Sequence, residues 1–336
     1  MFSRTSSKID RKKLVACAAG ALLLGAALLA ASPARAQDNW PSRPIRLVVP
    51  FAAGGPSDAT GRFLADGLAR ELKQSVVVDN KPGAGASIGA AAVAKAAPDG
   101  YTFLLGHAAS VSATPQMRKV DYDPVKDLTP VAAVAGNFTL LVARKDFPAK
   151  NMAELKTLAT SKPEAVTCAT AGVGSGSHMA CGTLAELLGA KLLLVHYKGS
   201  SEATVDQLAG RVDIFFDPSS LPHVKSGALK VLAARGKGGT RFGELATTPS
   251  FAEQGYPTMS DEIWIGLMAP AGTNPAIIKR MATAIERIAN APDSAEKLIR
   301  VSQFPQFIPT EDLRARISKD VPHYAALIQK LNLKVE

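Results

Sequence analysis

The sequence predicts an α/β protein of two lobes, each a mostly parallel sheet flanked by helices, joined by a two-crossing hinge. Three observations predict it. Apolar strands alternate with helical segments from residue 45 onward, the pattern of a sheet covered by helices on both faces. The alternation breaks at Leu128–Arg144, which reads as two β segments around Gly136-Asn137, and then starts afresh. Removing an N-terminal leader leaves 300 of the 336 residues, more than one hydrophobic core usually organises.

The leader is legible from its charge and hydropathy. Arg4, Lys8, Arg11, Lys12 and Lys13 precede the apolar run 14–31, and Ala34-Arg35-Ala36 supplies small residues for cleavage. This predicts a secretory signal peptide over 1–36, cut after Ala36, and a periplasmic mature chain. The run is about long enough to span a bilayer, so an uncleaved anchor is the rival; the Ala-x-Ala ending favours cleavage. Leu14-Val15-Ala16-Cys17 imitates a lipoprotein site, but three apolar residues before the cysteine are too few for one.

Cleavage removes six of 39 basic residues and one of 29 acidic ones, leaving a net charge of +5. That excess is spread along the chain and suits anionic solutes better than nucleic acid. An aromatic content of 6% also argues against base stacking. Cys17 leaves with the leader, so Cys168 and Cys181 remain as an even pair in an oxidising compartment. A disulfide between them would pin the glycine turn that separates them; two buried free thiols are the alternative.

In order, the mature chain opens with an extended lead-in and the strand Ile45–Pro50. The turn Phe51–Asp58 feeds a helix with apolar Phe63, Leu64, Leu68 and Leu72, and Ser57 or Asp58 is the expected N-cap. The strand Ser75–Asp79, a glycine-rich turn into a small-residue helix ending near Ala96, and the strand Tyr101–Gly106 follow. The second series runs helix Met152–Thr160, strand Ala165–Thr170, helix Ser177–Leu188, strand Lys191–His196, helix Glu202–Ala209, strand Val212–Phe216 and strand Leu229–Arg235. After a strand at Glu262–Pro270 only helices are expected, around Pro275–Ala289, Ala295–Val301 and Glu311–Leu331. Three helices without a sheet cannot easily make their own core, so they should return to the first lobe. This gives lobe 1 as 37–138 plus 264–336 and lobe 2 as 139–263, with crossings near 137–145 and 258–266.

Six segments, in order and spacing, resemble one family: PSRPIRLVVPFAAGGPSDATGR, NKPGAGASIGAAAVAKAAPDGYTFLLG, GVGSGSH, HYKGSSEA, VDIFFD and WIGLMAPAGT. Across nearly all of residues 40–336 the chain resembles the Bug family, the extracytoplasmic solute-binding subunits of tripartite tricarboxylate transporters. The resemblance implies a type II periplasmic binding protein, a monomer that closes over a small organic acid and delivers it to membrane subunits of such a transporter. It also implies that a solute carboxylate is held mainly by backbone groups and ordered water from loops on both lobes. His196-Tyr197-Lys198-Gly199 departs from the family's usual Pro-Tyr-Lys-Gly.

The candidate ligand residues lie on the turns. Phe51, Gly54, Gly55, Pro56, Ser57 and Asp58 form the first, where glycines allow close backbone approach and the helix start favours an anion; an acid there is awkward, so Asp58 reads more readily as a cap. His107 and Ser110, in the loop after the third strand, are cleft contacts by the resemblance, with a solvent-exposed His107 equally open. From the second lobe Ser175 and Ser177 offer hydroxyls at a helix start, one for ligand and one as cap. Lys198, Gly199 and Ser200 form the next helix entry, with Lys198 open to pairing with a solute carboxylate, to pinning the two lobes or to pairing with Asp217. Asp217 is the residue expected to read an amino or hydroxyl group.

Ser175 or Ser177 beside His178 suggests a secreted hydrolase as a rival, but sequence neighbours are poorly aimed for a triad and no Gly-x-Ser-x-Gly is present. A periplasmic sensor for a signalling receptor shares the expected fold and differs only in partner. Gly83–Gly89 and Gly172–Ser177 both miss the dinucleotide spacing, and no metal-ligand cluster is apparent, so no cofactor is expected.

Overall fold

Two sheets carry the chain. The computed structural model describes residues 40–330 apart from 138, 174, 218–219, 236–246, 261–262 and 302; the expected leader and its cleavage site lie outside the described residues. From Arg43 onward the chain is one compact unit. It lays down β1 (Ile45–Val49), α1 (Pro56–Leu72), β2 (Val76–Asn80), α2 (Ser87–Ala94), β3 (Thr102–His107), α3 (Thr114–Met117) and β4 (Leu128–Asn137). It then builds β5 (Thr139–Arg144), α4 (Met152–Ser161), β6 (Thr167–Thr170), α5 (Gly176–Leu188), β7 (Leu193–His196), α6 (Ser200–Leu208), β8 (Ile214–Phe216), α7 (Leu221–Lys225) and β9 (Leu229–Arg235). Last come β10 (Ile263–Pro270), α8 (Pro275–Ala289), α9 (Ser294–Ile299), β11 (Gln303–Ile308) and α10 (Thr310–Lys330).

The first sheet has the order β11-β4-β10-β3-β1-β2 and the second β7-β6-β8-β5-β9. Strands that alternate with helices pair in parallel, β1 with β2 and β3, and β6 with β7 and β8. The antiparallel members are β5, β10 and β11. Of these, β5 and β10 are the strands by which the chain changes sheet.

Period-two patterning explains why the second sheet is buried on both faces. Leu141, Ala143, Cys168, Ile214 and Phe216 join one buried cluster, with Leu184 and Leu188 of α5. Their neighbours Leu140, Val142, Ala169 and Phe215 join the opposite cluster, with Ala203 of α6. In the first sheet Val48, Leu104, Ala133, Trp264 and Met268 pack with Leu313 and Ile317 of α10. Helix α8 follows the sequence rules closely: Asn274 caps it, accepting from the Ala276 N–H at 2.8 Å, a proline opens it, and Ile277, Met281, Ile285 and Ile288 are buried along one face.

The two passages between sheets lie side by side. At the end of β4 Asn137 is in register with Ile263, the first residue of β10, so the chain returns to the first sheet beside the point where it left. A register shift at Ile265/Gly266 accompanies a very close approach of β10 to β4. A Cβ on Gly266 would stand 2.6 Å from the Ala132 carbonyl oxygen and 2.8 Å from the Ala133 Cα. Trp264, fully buried, donates its indole N–H to Asp320 of α10 at 3.1 Å, and Arg316 donates to the other oxygen of that carboxylate at 2.8 Å.

Two expectations need correction. The tail after Pro270 is not helices alone, because β11 pairs antiparallel with β4 at the sheet edge, Gln303 opposite Asn137 and Phe304 opposite Gly136. Its short stretch with Pro305 reads poorly as a strand, yet an edge position tolerates proline, and Gln303 is anchored by the Thr60 hydroxyl at 2.6 Å. The stretch after β3 is not a plain loop either, since a π-helical turn at Ala109–Ala113 runs into α3.

Gly266→Ala is expected to lower the unfolding free energy by about 1–3 kcal/mol, because the clashing atoms are strand backbone with no side chain to move aside. A urea midpoint equal to wild type would contradict that.

Candidate functional site

The turns at the carboxyl ends of the parallel strands are the concave edge where open α/β sheets hold ligands. After β1 the chain turns through Phe51–Gly55. Gly54 has φ +83°, a conformation costly for other residues. The N-cap of α1 is Gly55, followed by Pro56, with no side-chain cap; neither Ser57 nor Asp58 takes that place, because the chain enters the helix two residues earlier than expected. Asp58, 4% exposed, reaches back over the turn instead. Its carboxylate accepts from the Gly54 N–H at 2.9 Å, Arg62 Nε at 2.9 Å and Asn80 Nδ2 at 3.0 Å, and Asn80 Nδ2 also donates to the Phe51 carbonyl at 3.0 Å. Burial raises its pKa, but these bonds from Arg62, Gly54 and Asn80 outweigh that and hold it below the usual carboxylate range. Asn80 is not among the candidate residues, although it opens the glycine-rich segment NKPGAGASIG at the end of an apolar strand.

His107 is the last residue of β3 and is buried, not solvent-exposed. Its ring meets the Phe51 ring edge-on at 4.9 Å, and its Nε2 has no hydrogen-bond partner among the described residues. Burial pushes its pKa down to about 4. Ser110 is corrected from cleft contact to support: fully buried, its hydroxyl accepts from the His107 N–H and donates to the His107 carbonyl, both at 3.1 Å.

In the second sheet the described residues of the turn after β6 are held by several hydrogen bonds. Gly172 has φ +123°, and a Cβ there would lie 3.3 Å from the Tyr197 carbonyl oxygen. Ser175 caps α5, accepting from the His178 N–H at 3.2 Å, while Ser177 Oγ accepts from the Ala171 N–H at 2.8 Å and lies 3.0 Å from Ser175 Oγ. The His178 ring packs edge-on against His196 at 4.5 Å; burial first, then His196, lowers its pKa to about 4. His196 Nδ1 in turn lies 2.7 Å from Thr170 Oγ1. A disulfide joins Cys168 on β6 to Cys181 on α5, with Cα atoms 6.2 Å apart, and so brackets this turn.

Gly199 precedes α6, whose first residue is Ser200. The Lys198 N–H donates to Glu202 at 3.2 Å, and the Lys198 side chain is exposed. Tyr197 donates to Asp206 at 2.9 Å, fastening the turn to its helix. Asp217, 3% exposed at the end of β8, accepts from Ser220 at 3.1 Å and from Thr204 at 3.5 Å. Among the described residues, no group of three or more His, Cys, Asp or Glu is placed to hold a metal ion.

The turns of the two sheets are brought together by a small buried cluster. Ala113, just after β3, packs with Met179 on the first turn of α5 and with Leu327 and Ile328 of α10. Lys330 of α10 also pairs with Glu186 of α5 at 2.9 Å.

Residues 60–333 match the family described as tripartite tricarboxylate transporter family receptor. The chain belongs to that family. It is 33% identical over 303 residues to Protein BugT of Bordetella pertussis, covering 89% of this chain and 92% of the relative. Two solved structures are similar: MatC from Rhodopseudomonas palustris with bound malate, at 30% identity and a TM-score of 0.67 over 86% of this chain and 100% of the other, and an R. palustris protein with adipate, at 28% and 0.71 over 88% and 99%. They bear out the type II binding-protein fold and the receptor reading of this family member.

Two outcomes follow from the geometry. Replacing both cysteines by serine removes a link across 13 residues, which should lower the unfolding free energy by about 3 kcal/mol, read as a shifted denaturant midpoint under non-reducing conditions. His107 is neutral when folded and titrates near its ordinary value of 6.5 when unfolded, so the unfolded chain binds the extra proton. Stability should therefore fall by up to about 3 kcal/mol as pH drops from 6.5 to 4, and His107→Gln should flatten that decline in urea midpoints measured across the range.

Proposed function

We propose that the protein is a periplasmic receptor that captures a small organic carboxylate between its two lobes and presents it to the membrane subunits of a tripartite tricarboxylate-type transporter. The lobes are 37–138 with 264–336, and 139–263, closing about the paired crossings. The observation that supports the reading is that glycine and serine turns, each opening a helix, follow the carboxyl ends of strands in both sheets of a chain of this receptor family. Such turns offer backbone N–H groups without helical partners and the positive ends of helix dipoles. Malate and adipate in the similar structures support a carboxylate as the solute class.

In this reading the backbones of Gly55, Ser57, Gly199 and Ser200 and the hydroxyl of Ser177 face the solute, Ser175 stays the cap of α5 and Gly54 lets the turn approach closely, while Lys198 supplies the positive charge and Asp217 reads a polar substituent. Phe51 and Pro56 shape the wall. Asp58 and Ser110 serve the site from behind, by holding the turns. Export uses the leader 1–36 with cleavage after Ala36, and the mature chain acts as a monomer.

A thermal-shift screen tests the proposal. Organic acids should raise the melting temperature in proportion to the logarithm of their concentration above Kd, and neutral sugars should not. Lys198→Ala should weaken the best acid about fivefold to twentyfold with the ligand-free melting temperature unchanged, since the side chain is exposed. Stabilisation by sugars and by no acid would refute carboxylate capture.

A further inference from the structure

In the second sheet the turns after β6 and β7 are each bonded to their own helix, and a separate set of contacts bonds them to one another. The ladder between the two strands ends where the Tyr197 N–H donates to the Thr170 carbonyl at 3.0 Å. Beyond that point β6 leads into α5 and β7 into α6, and side chains take over. Thr170 Oγ1 lies 2.7 Å from His196 Nδ1 and accepts from the Gly172 N–H at 3.3 Å. The His196 ring stands edge-on against the His178 ring at 4.5 Å. Gly172 also passes so near the Tyr197 carbonyl that a Cβ would lie 3.3 Å from its oxygen. From the end of β7, then, His196 touches both the end of β6 and the first turn of α5.

Burial fixes the polarity of the Thr170–His196 bond. Thr170 is fully buried, and among the described residues its hydroxyl meets the Gly172 N–H and His196 Nδ1. An N–H only donates, so the hydroxyl hydrogen has the imidazole Nδ1 as its acceptor. His196 is thereby held as the tautomer with its proton on Nε2, and its ring has one orientation. Burial first, then His196, lowers the His178 pKa to about 4, so at neutral pH no charge on His178 disturbs the ring contact. By contrast, the bonds made by Ser175, Ser177, Glu202 and Asp206 run within one turn and its helix.

We propose that Thr170 and His196 are positioning residues that lock the turn after β6 to the turn after β7, so that the starts of α5 and α6 are presented as one unit. This rests on the capture reading above and adds what aligns two of its turns. A solute that touches both turns meets groups already in register, and the freedom it would otherwise have to remove is gone before it arrives.

Histidine nitrogen NMR, hydrogen exchange and calorimetry on the secreted protein test the lock. In the ligand-free protein at pH 8, His196 is expected with Nδ1 bare and Nε2 protonated; the opposite tautomer overturns the inference. Thr170→Val removes the hydroxyl at constant shape, and His196→Phe keeps a ring against His178 without the nitrogen. Each should speed exchange at least about fivefold across both 171–178 and 197–201, with 51–58 exchanging as in wild type. Thr170→Ser restores the hydroxyl and should return both segments to wild-type rates. Faster exchange in only one of the two segments, or a serine variant that behaves like the valine one, overturns the inference. The valine and phenylalanine variants should also weaken whichever of malate, adipate and citrate binds wild type most tightly, by about fivefold to twentyfold, and Thr170→Ser should restore it. Variants that bind that acid like wild type overturn the positioning role and leave carboxylate capture standing. Binding of a neutral sugar and of none of the three acids overturns the capture reading, and the NMR and exchange results still decide the lock.

Discussion

The close antiparallel contact of β4 with β10 is the constraint on which the rest of the structure depends. The chain leaves the first sheet at Asn137 and re-enters it at Ile263, in register with that residue, so both connections to the second sheet pass through one narrow place. Everything between them must fold as a unit that returns its end to its beginning. Gly266 permits the approach, and the indole of Trp264, bonded to Asp320 and through it to Arg316, ties the returning strand to α10. Because that helix also reaches Met179 and Glu186 on α5, the element that secures the crossing is the same one that spans to the second sheet. A change in the angle between the sheets must therefore be accommodated at α10 as well as at the strands.

Around that frame the turns are built to present backbone, and their side chains mostly serve the turn itself. Asp58 is the clearest case. A carboxylate at the entrance of an anion site is repulsive if it faces the anion, yet here it is buried and spends its oxygens on Gly54, Asn80 and Arg62. Ser110 does the same for His107, and Ser175 and Ser177 for the turn before α5. Preorganised N–H groups lose little freedom when a ligand arrives, which is where such a site gains its affinity.

The parts legible in the sequence were those governed by local periodicity. Pro275–Ala289 and Leu229–Arg235 are legible to the residue, because an asparagine cap and proline open the one and the apolar run of the other follows directly on Gly227-Ala228. The paired cysteines and the switch of sheet near Gly136-Asn137 were equally visible. What escaped depended on distant partners. Nothing local marks Gln303–Ile308 as a strand; it becomes one because β4 offers an open edge and Thr60, far away in sequence, bonds Gln303. The helical turn after β3 and the burial of Ser110 are likewise set at a distance, by Val111 joining the first core and by the Tyr122 hydroxyl donating to the Ser110 carbonyl at 2.9 Å. In the site the positions of the turns were legible, but the direction of each side chain was not, since Asp58 inward and Asp58 outward have the same sequence.

Burial keeps the histidines of the proposed site uncharged, and that has a use of its own. A cleft that bound its solute through several fixed cations would hold any polyanion and release it slowly. Burying His107 and packing His178 on His196 keeps imidazole surface in place as shape and as hydrogen-bonding capacity, without long-range attraction. In the proposed site attraction falls off within a Debye length of about 8 Å at physiological salt and, among the described residues, comes mainly from the helix starts and Lys198. In the proposed receptor, discrimination then rests on fit more than on charge.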